Sequence, residues 1–245
     1  MVKNIVSGGD SFPCGMGLGN DRFKASYPVR IAEHFDAKLT SLARPGCCNF
    51  SISLMIQWMA NNVTNDTFYI ISTTNEDRLH WLRPGIVYNN KHKVSIEELN
   101  YEDYDQFLLT KLPFAPNNTI QSETCSNLLL HAKGELGRSL SLDREPKSRI
   151  QAIDNYIKFI HDSKIKRHID VSLLATQLHR LKEKTDNWIL LTDWNELEEM
   201  FIDNSIQARF GILSNDYPDD RGSGHFNTTG HRTIFNNIMK WYDAR

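Results

Sequence analysis

The chain has 245 residues, 40% of them hydrophobic and 24% charged, which is ordinary globular usage and excludes an intrinsically disordered protein. Lys and Arg total 28 against 30 Asp and Glu, a formal net charge of −2 that provides no bulk attraction to nucleic acid or to an anionic membrane. Its four cysteines, Cys14, Cys47, Cys48 and Cys125, contain no CxxC pair, so neither a disulfide scaffold nor a zinc template is present.

Residues 2–7 predict a short buried strand, broken by Gly8 and Gly9 and followed by a loop holding Gly15, Gly17 and Gly19. Pro28 opens a helical pattern over 27–37. A second helix is predicted over 49–62, where Ile52, Met55, Ile56 and Met59 recur at helical spacing. The β-branched and aromatic run 67–72 predicts a strand buried on both faces. Regularity fades between about 81 and 145, and a loop-rich inserted segment or lid fits this stretch better than a second compact domain. Its aromatics, including Trp81, Tyr101, Tyr104 and Phe107, are expected first as lid or core packing and second as walls of a sugar or acyl site. Ile150, Ile153, Ile157 and Ile160 then mark one amphipathic helix, and Val171, Leu174, Leu178 and Leu181 another. A buried strand is predicted at 188–192 and a last helix over 230–242.

Strands alternating with helices imply crossover connections, hence a parallel sheet with helices on both faces. Sites in such sheets form beyond the carboxyl ends of the strands. No stretch approaches the ~18 apolar residues of a membrane span, and the first residues do not read as a signal peptide, so a cytoplasmic protein is expected, although a virion-associated one would look the same.

Four short blocks carry chemistry. In Gly9-Asp10-Ser11-Phe12, a serine on a tight strand-to-loop turn presents its hydroxyl to a cleft, in what should be an exposed loop. In the turn Arg44-Pro45-Gly46-Cys47-Cys48-Asn49, Gly46 allows close backbone approach to a ligand, while Asn49 suits a helix cap or a supporting role. Asn75 stands just beyond the 67–72 strand, where an amide can donate to developing negative charge. Near the other end, His225 lies in a glycine-flanked loop and His231 in the first turn of the last helix, which makes His225 the better general base.

A Gly-Asp-Ser block, a glycine block, an asparagine block and a closing His-Phe-Asn-Thr-Thr-Gly-His block, in that order, resemble the SGNH (GDSL-type) serine hydrolase superfamily. The resemblance implies a three-layer α/β/α sandwich around a flavodoxin-like parallel sheet, formed by one domain over 1–245 with its insertion at about 81–145. It also implies a serine esterase acting on a carboxylic ester, such as an O-acetyl or short acyl group on a small molecule, glycan or lipid. Ser11 would be the nucleophile and His225 the base. The backbone of Ser11 and Gly46, with the Asn75 side chain, would form the oxyanion hole, and Asp10 and Asn49 would support them. No metal or other cofactor is called for. The family's usual aspartate position, three residues before the histidine, is Gly222 here, which leaves Asp219 and Asp220 as alternative orienting acids.

The missing aspartate motivates a second reading, a catalytically silent module of this fold that binds a glycan or protein. A third, a nucleotide or flavin binder using Gly15, Gly17 and Gly19, is weaker, because these glycines do not follow the dinucleotide fingerprint and no helix is expected directly after them.

Overall fold

A computed structural model of the chain describes residues 1–43, 47–75, 78–79, 87–89, 92–94, 130–131, 155–156, 159–220 and 224–245. Five strands form the central sheet: β1 (Asn4–Gly8), β2 (Lys38–Ser41), β3 (Thr67–Ser72), β8 (Trp188–Thr192) and β9 (Ser205–Gln207). Their spatial order is β2-β1-β3-β8-β9 and every neighbouring pair is parallel. Counting only these five in chain order, that is 2-1-3-4-5, the flavodoxin-like doubly wound arrangement.

Side chains of each strand alternate between two separate cores. Ile5, Phe68, Ile70, Ile189 and Leu191 pack on one face with α2 (Tyr27–His34), α6 (Phe210–Asp216) and α7 (Thr228–Asp243). Val6, Tyr69, Ile71, Trp188 and Leu190 pack on the other with α3 (Asn49–Asn61), α4 (Ser163–Lys182) and α5 (Asn195–Met200). Two cores on two faces of one sheet make the three-layer α/β/α sandwich. A strand buried on both sides needs apolar residues at every position, which is why β3 and β8 read as continuous hydrophobic runs.

The helix predicted over 27–37 stops at His34. Phe35 leaves the helical region and Asp36 turns left-handed at φ 49°, redirecting the chain into β2. β2, β9, α5 and α6 lie outside the elements expected from the sequence. β2 is a half-exposed edge strand of four residues and β9 has three, too few for a period to register. Of the expected 150–160 helix, Ile150, Ile153 and Ile157 lie outside the described residues, and Ile160 is exposed in a turn rather than packed in a core. Most of the 81–145 segment, with Trp81, Tyr101, Tyr104 and Phe107, also lies outside the described residues. Flanking and within it, β4 (Arg78–Leu79) pairs antiparallel with β7 (Leu130–His131), and β5 (Val87–Asn89) with β6 (His92–Val94). Among the described residues no helix is long and apolar enough to cross a membrane.

The strand order reverses between β1 and β3. In doubly wound sheets the loops leaving two such strands diverge to opposite faces, which makes this end of the sheet the expected place for a site. Ser11 follows β1 and Asn75 follows β3, so both belong to this switch point.

Candidate functional site

The turn after β1 is dictated by Gly9, whose φ is +142°. A Cβ there would lie 2.9 Å from both Ser72 Cβ and Ser72 O and 2.8 Å from Pro13 Cγ, so only glycine lets β1 turn this close to the end of β3. Asp10 locks the turn from within. Its Oδ1 accepts the Phe12 N–H at 3.1 Å, and its Oδ2 accepts the Thr74 hydroxyl at 2.8 Å. The chain then folds back, with Met16 N donating to Ser11 O and Gly15 N to Phe12 O, both at 3.0 Å.

Ser11 is buried, only 3% exposed, which corrects the expectation of an exposed loop. The cause is the fold-back and the ring beside it. Phe12 stacks on Phe210 (centroids 4.6 Å apart) and on Phe226 (4.9 Å), seating the turn on the core. The Ser11 Oγ has no hydrogen-bond partner among the described residues. An unpaired buried hydroxyl costs on the order of 1–3 kcal/mol, and this one is not hydrogen-bonded to His225.

His225 arrives from the far end of the chain on a short antiparallel ribbon. Pro218 bridges to Phe226, Asp219 N donates to His225 O at 3.0 Å, and Asn227 N donates to Tyr217 O at 2.8 Å. Asp219 and His225 are therefore cross-strand partners, and side chains directly opposite on such a ribbon share one face. Both meet Gly17. A Cβ placed on that glycine (φ +93°) would lie 2.9 Å from His225 Cβ and 3.1 Å from Asp219 Oδ2. Asp219 is 5% exposed, whereas Asp220 points to solvent. Of the two acids left open by the sequence, the ribbon brings Asp219 beside the histidine and leaves Asp220 out. On the other side, the His225 ring tilts against Phe12, the residue after Ser11, at 5.4 Å between centroids.

His231 has a structural role. It is fully buried, packs edge-on against Phe226 at 4.5 Å, and accepts the Tyr27 N–H at Nδ1 (3.3 Å). The ring proton of the neutral form therefore sits on Nε2, which has no partner among the described residues. Burial, with the charges of Arg30 and His225, pushes its pKa down to about 3, so it stays neutral. Tyr27 also sends its hydroxyl beneath the site to Ser72 Oγ, 2.7 Å away. Burial holds that phenol well above its ordinary pKa, with Asp10 and Cys14 adding to the effect. Asn227 caps the last helix, its side chain accepting from Thr229 N and Gly230 N.

On the opposite flank, Asn49 is the first residue of α3 but does not cap it; the cap position is Cys48. The expectation of an Asn49 cap gives way because the buried strand exit at Thr74 needs partners. Asn49 Nδ2 donates to Thr74 O and Asn49 Oδ1 accepts Thr74 N–H, each at 3.0 Å, as a neighbouring strand would. Asn75 is exposed in the loop after β3. Gly46 and Gly222 lie outside the described residues.

Sequence reasoning missed Thr74, Tyr27, Phe210, Asp170 and Lys166. One signal was available: Lys166 and Asp170 occupy the same four-residue spacing as Leu174 and Leu178, so two charges stand on the buried stripe of α4. The glycine loop runs directly into a 3₁₀ turn at Gly19–Asp21 and the four-residue α1 (Arg22–Ala25), contrary to expectation, and its Gly17 packs on Asp219 and His225. Among the described residues no three His, Cys, Asp or Glu side chains gather as a metal site. No family model matches the chain, and no curated protein matches it in sequence.

Proposed function

We propose that the chain is a serine ester hydrolase of the SGNH type. The observation that carries this reading is the cross-strand pairing of Asp219 with His225 beside the turn that bears Ser11. It supplies the orienting acid whose family position is occupied by Gly222, using two strands of a ribbon where a three-residue spacing would otherwise serve.

In this mechanism His225 takes the proton of the Ser11 hydroxyl as Oγ attacks the carbonyl carbon of the ester. Asp219 holds the imidazole in its productive tautomer and offsets the imidazolium charge. The carbonyl π pair moves onto oxygen, where the Ser11 N–H and the Asn75 amide, with the Gly46 N–H, stabilise it. As the tetrahedral centre collapses, the alkoxide leaves with the proton from His225. Water, deprotonated by the same histidine, then releases the acid and regenerates Ser11. The substrate class is a carboxylic ester with a small acyl group, carried by a small molecule, glycan or lipid.

The test is hydrolysis of a short-chain activated ester, with fluorophosphonate labelling of Ser11. Turnover and a label that both vanish in Ser11→Ala support the proposal; a folded wild-type chain showing neither from neutral to mildly alkaline pH refutes it. The Ser11 Oγ, having no partner among the described residues, favours one competing reading, a catalytically silent glycan- or protein-binding module of the same fold. A silent module would give that negative result.

A further inference from the structure

Behind the nucleophile turn runs a buried polar chain that the mechanism above does not use. It starts on α4, where Lys166 Nζ donates to both carboxylate oxygens of Asp170 at 2.5 and 2.6 Å. Asp170 is 1% exposed and accepts from Asn49 Nδ2 at 3.1 Å. The Asn49 amide makes its paired bonds to the Thr74 backbone, and the Thr74 hydroxyl donates to Asp10. Asp10 in turn accepts the N–H of Phe12, immediately after Ser11. The chain is continuous from the helix to the loops after β1 and β3, because Thr74 also precedes Asn75.

A buried ion pair is weak grounds for stability, since apolar residues of similar volume commonly serve as well or better. Its position suits a different task. One carboxylate fixes the rotamer of Asn49, and with it the backbone of Thr74. That residue then bonds the nucleophile turn with its hydroxyl. A shift of about 1 Å between a nucleophile and an oxyanion donor costs on the order of 10²-fold in rate, so such a brace has a function to perform.

We propose that Asp170, held by Lys166, is a positioning residue that fixes Asn75 and the Asp10–Ser11 turn relative to one another through Asn49 and Thr74. The proposal rests on the hydrolase reading and deepens it, naming a brace on a distant helix that sets the geometry of the oxyanion side.

The experiment measures kcat and KM for an activated acetyl ester with the full chain and its Asp170→Leu, Asp170→Asn, Asn75→Ala and Asp170→Leu/Asn75→Ala variants. Thermal unfolding gives the folded fraction of each. Asp170→Leu is expected to lower kcat about 10- to 100-fold while KM moves less than about threefold. Asp170→Asn, which still offers an oxygen to Asn49, is expected to recover to within about fivefold of wild type. The two losses are expected to be non-additive, with the double variant within about threefold of the slower single one. Wild-type kcat in folded Asp170→Leu, fully multiplicative losses, or a loss explained by folded fraction would each overturn the proposal. Should Asp170→Leu fail to fold, Lys166→Met carries the test, expected to lose about three- to tenfold in kcat at constant KM; unchanged kcat overturns it. Turnover by wild type with an unaffected Asp170→Leu defeats this proposal alone, whereas a wild type with neither turnover nor fluorophosphonate label defeats the hydrolase reading and this one with it.

Discussion

Asp219 and Asp220 are neighbours of identical chemistry, and they part company because a bridged ribbon alternates its side chains between two faces. Asp219 pairs across the ribbon with His225 and is buried against Gly17, while Asp220 faces water. The proposed mechanism therefore separates them sharply. Asp219→Asn is expected to lower kcat on the order of 10³- to 10⁴-fold, since the imidazole loses the group that selects its tautomer. Asp220→Asn should remain within about threefold of wild type in the same assay, because nothing in the mechanism passes through it. Equal losses in the two variants would contradict the assignment. The family resemblance asked for an acid close before His225 and left Asp219 and Asp220 open; the pairing of 218 with 226 that tells them apart is a tertiary event with no local signature.

His231 shows the other outcome for a residue of chemical promise. Its folded-state pKa of about 3 lies below the value of 6.5 it has when unfolded. Unfolding between those pH values takes up a proton. The stability gained by keeping this ring neutral is fully present above about pH 6.5 and declines as pH falls towards 3, at up to about 1.4 kcal/mol per pH unit. Urea midpoints of His231→Asn and wild type should converge as pH drops from 7 to 5. A gap that stays constant over that range would show that His231 does not titrate on unfolding.

At the scale of elements, the site depends on how strands end. β3 and β8 were legible as continuous apolar runs, and α3, α4 and α7 from their 3.6-residue stripes, because burial on both faces or along one face leaves a period. β2 and β9 left none. The turn after β1 announced itself by its paired glycines, but the reason for Gly9 is the nearness of Ser72 on another strand, which no local pattern encodes. Gly9→Ala forces a Cβ into that backbone at a φ that L-residues rarely adopt. It is expected to destabilise the chain by about 2 kcal/mol or more, measured as a lower urea midpoint, and to slow ester turnover in whatever fraction folds. A midpoint within about 0.5 kcal/mol of wild type would show that the turn tolerates a different path. The charges on the α4 stripe belong to the same lesson: a Lys and an Asp at Leu spacing mark where the helix leaves the apolar core and joins the polar chain to Asn49, Thr74 and Asp10.

For the molecule as a whole, one sheet gathers strands from both sides of the 81–145 segment and brings loops from the two ends of the chain together at the exits of β1 and β3. Ser11 comes from the first strand's exit, Asn75 from the third's, and His225 from the ribbon before the last helix. Fold class was legible because alternating strands and helices admit few topologies. The candidate site residues were legible only as separate blocks, since their convergence at the β1/β3 switch point is a property of strand order. The central claim is that Ser11 is an activated nucleophile. It is tested most directly by reacting the full chain with a fluorophosphonate and mapping the adduct by peptide mass spectrometry. One adduct, on Ser11, formed at least about 10²-fold faster in wild type than in His225→Ala, is the predicted result. A folded chain that stays unmodified, or carries its adduct on another residue, would contradict it.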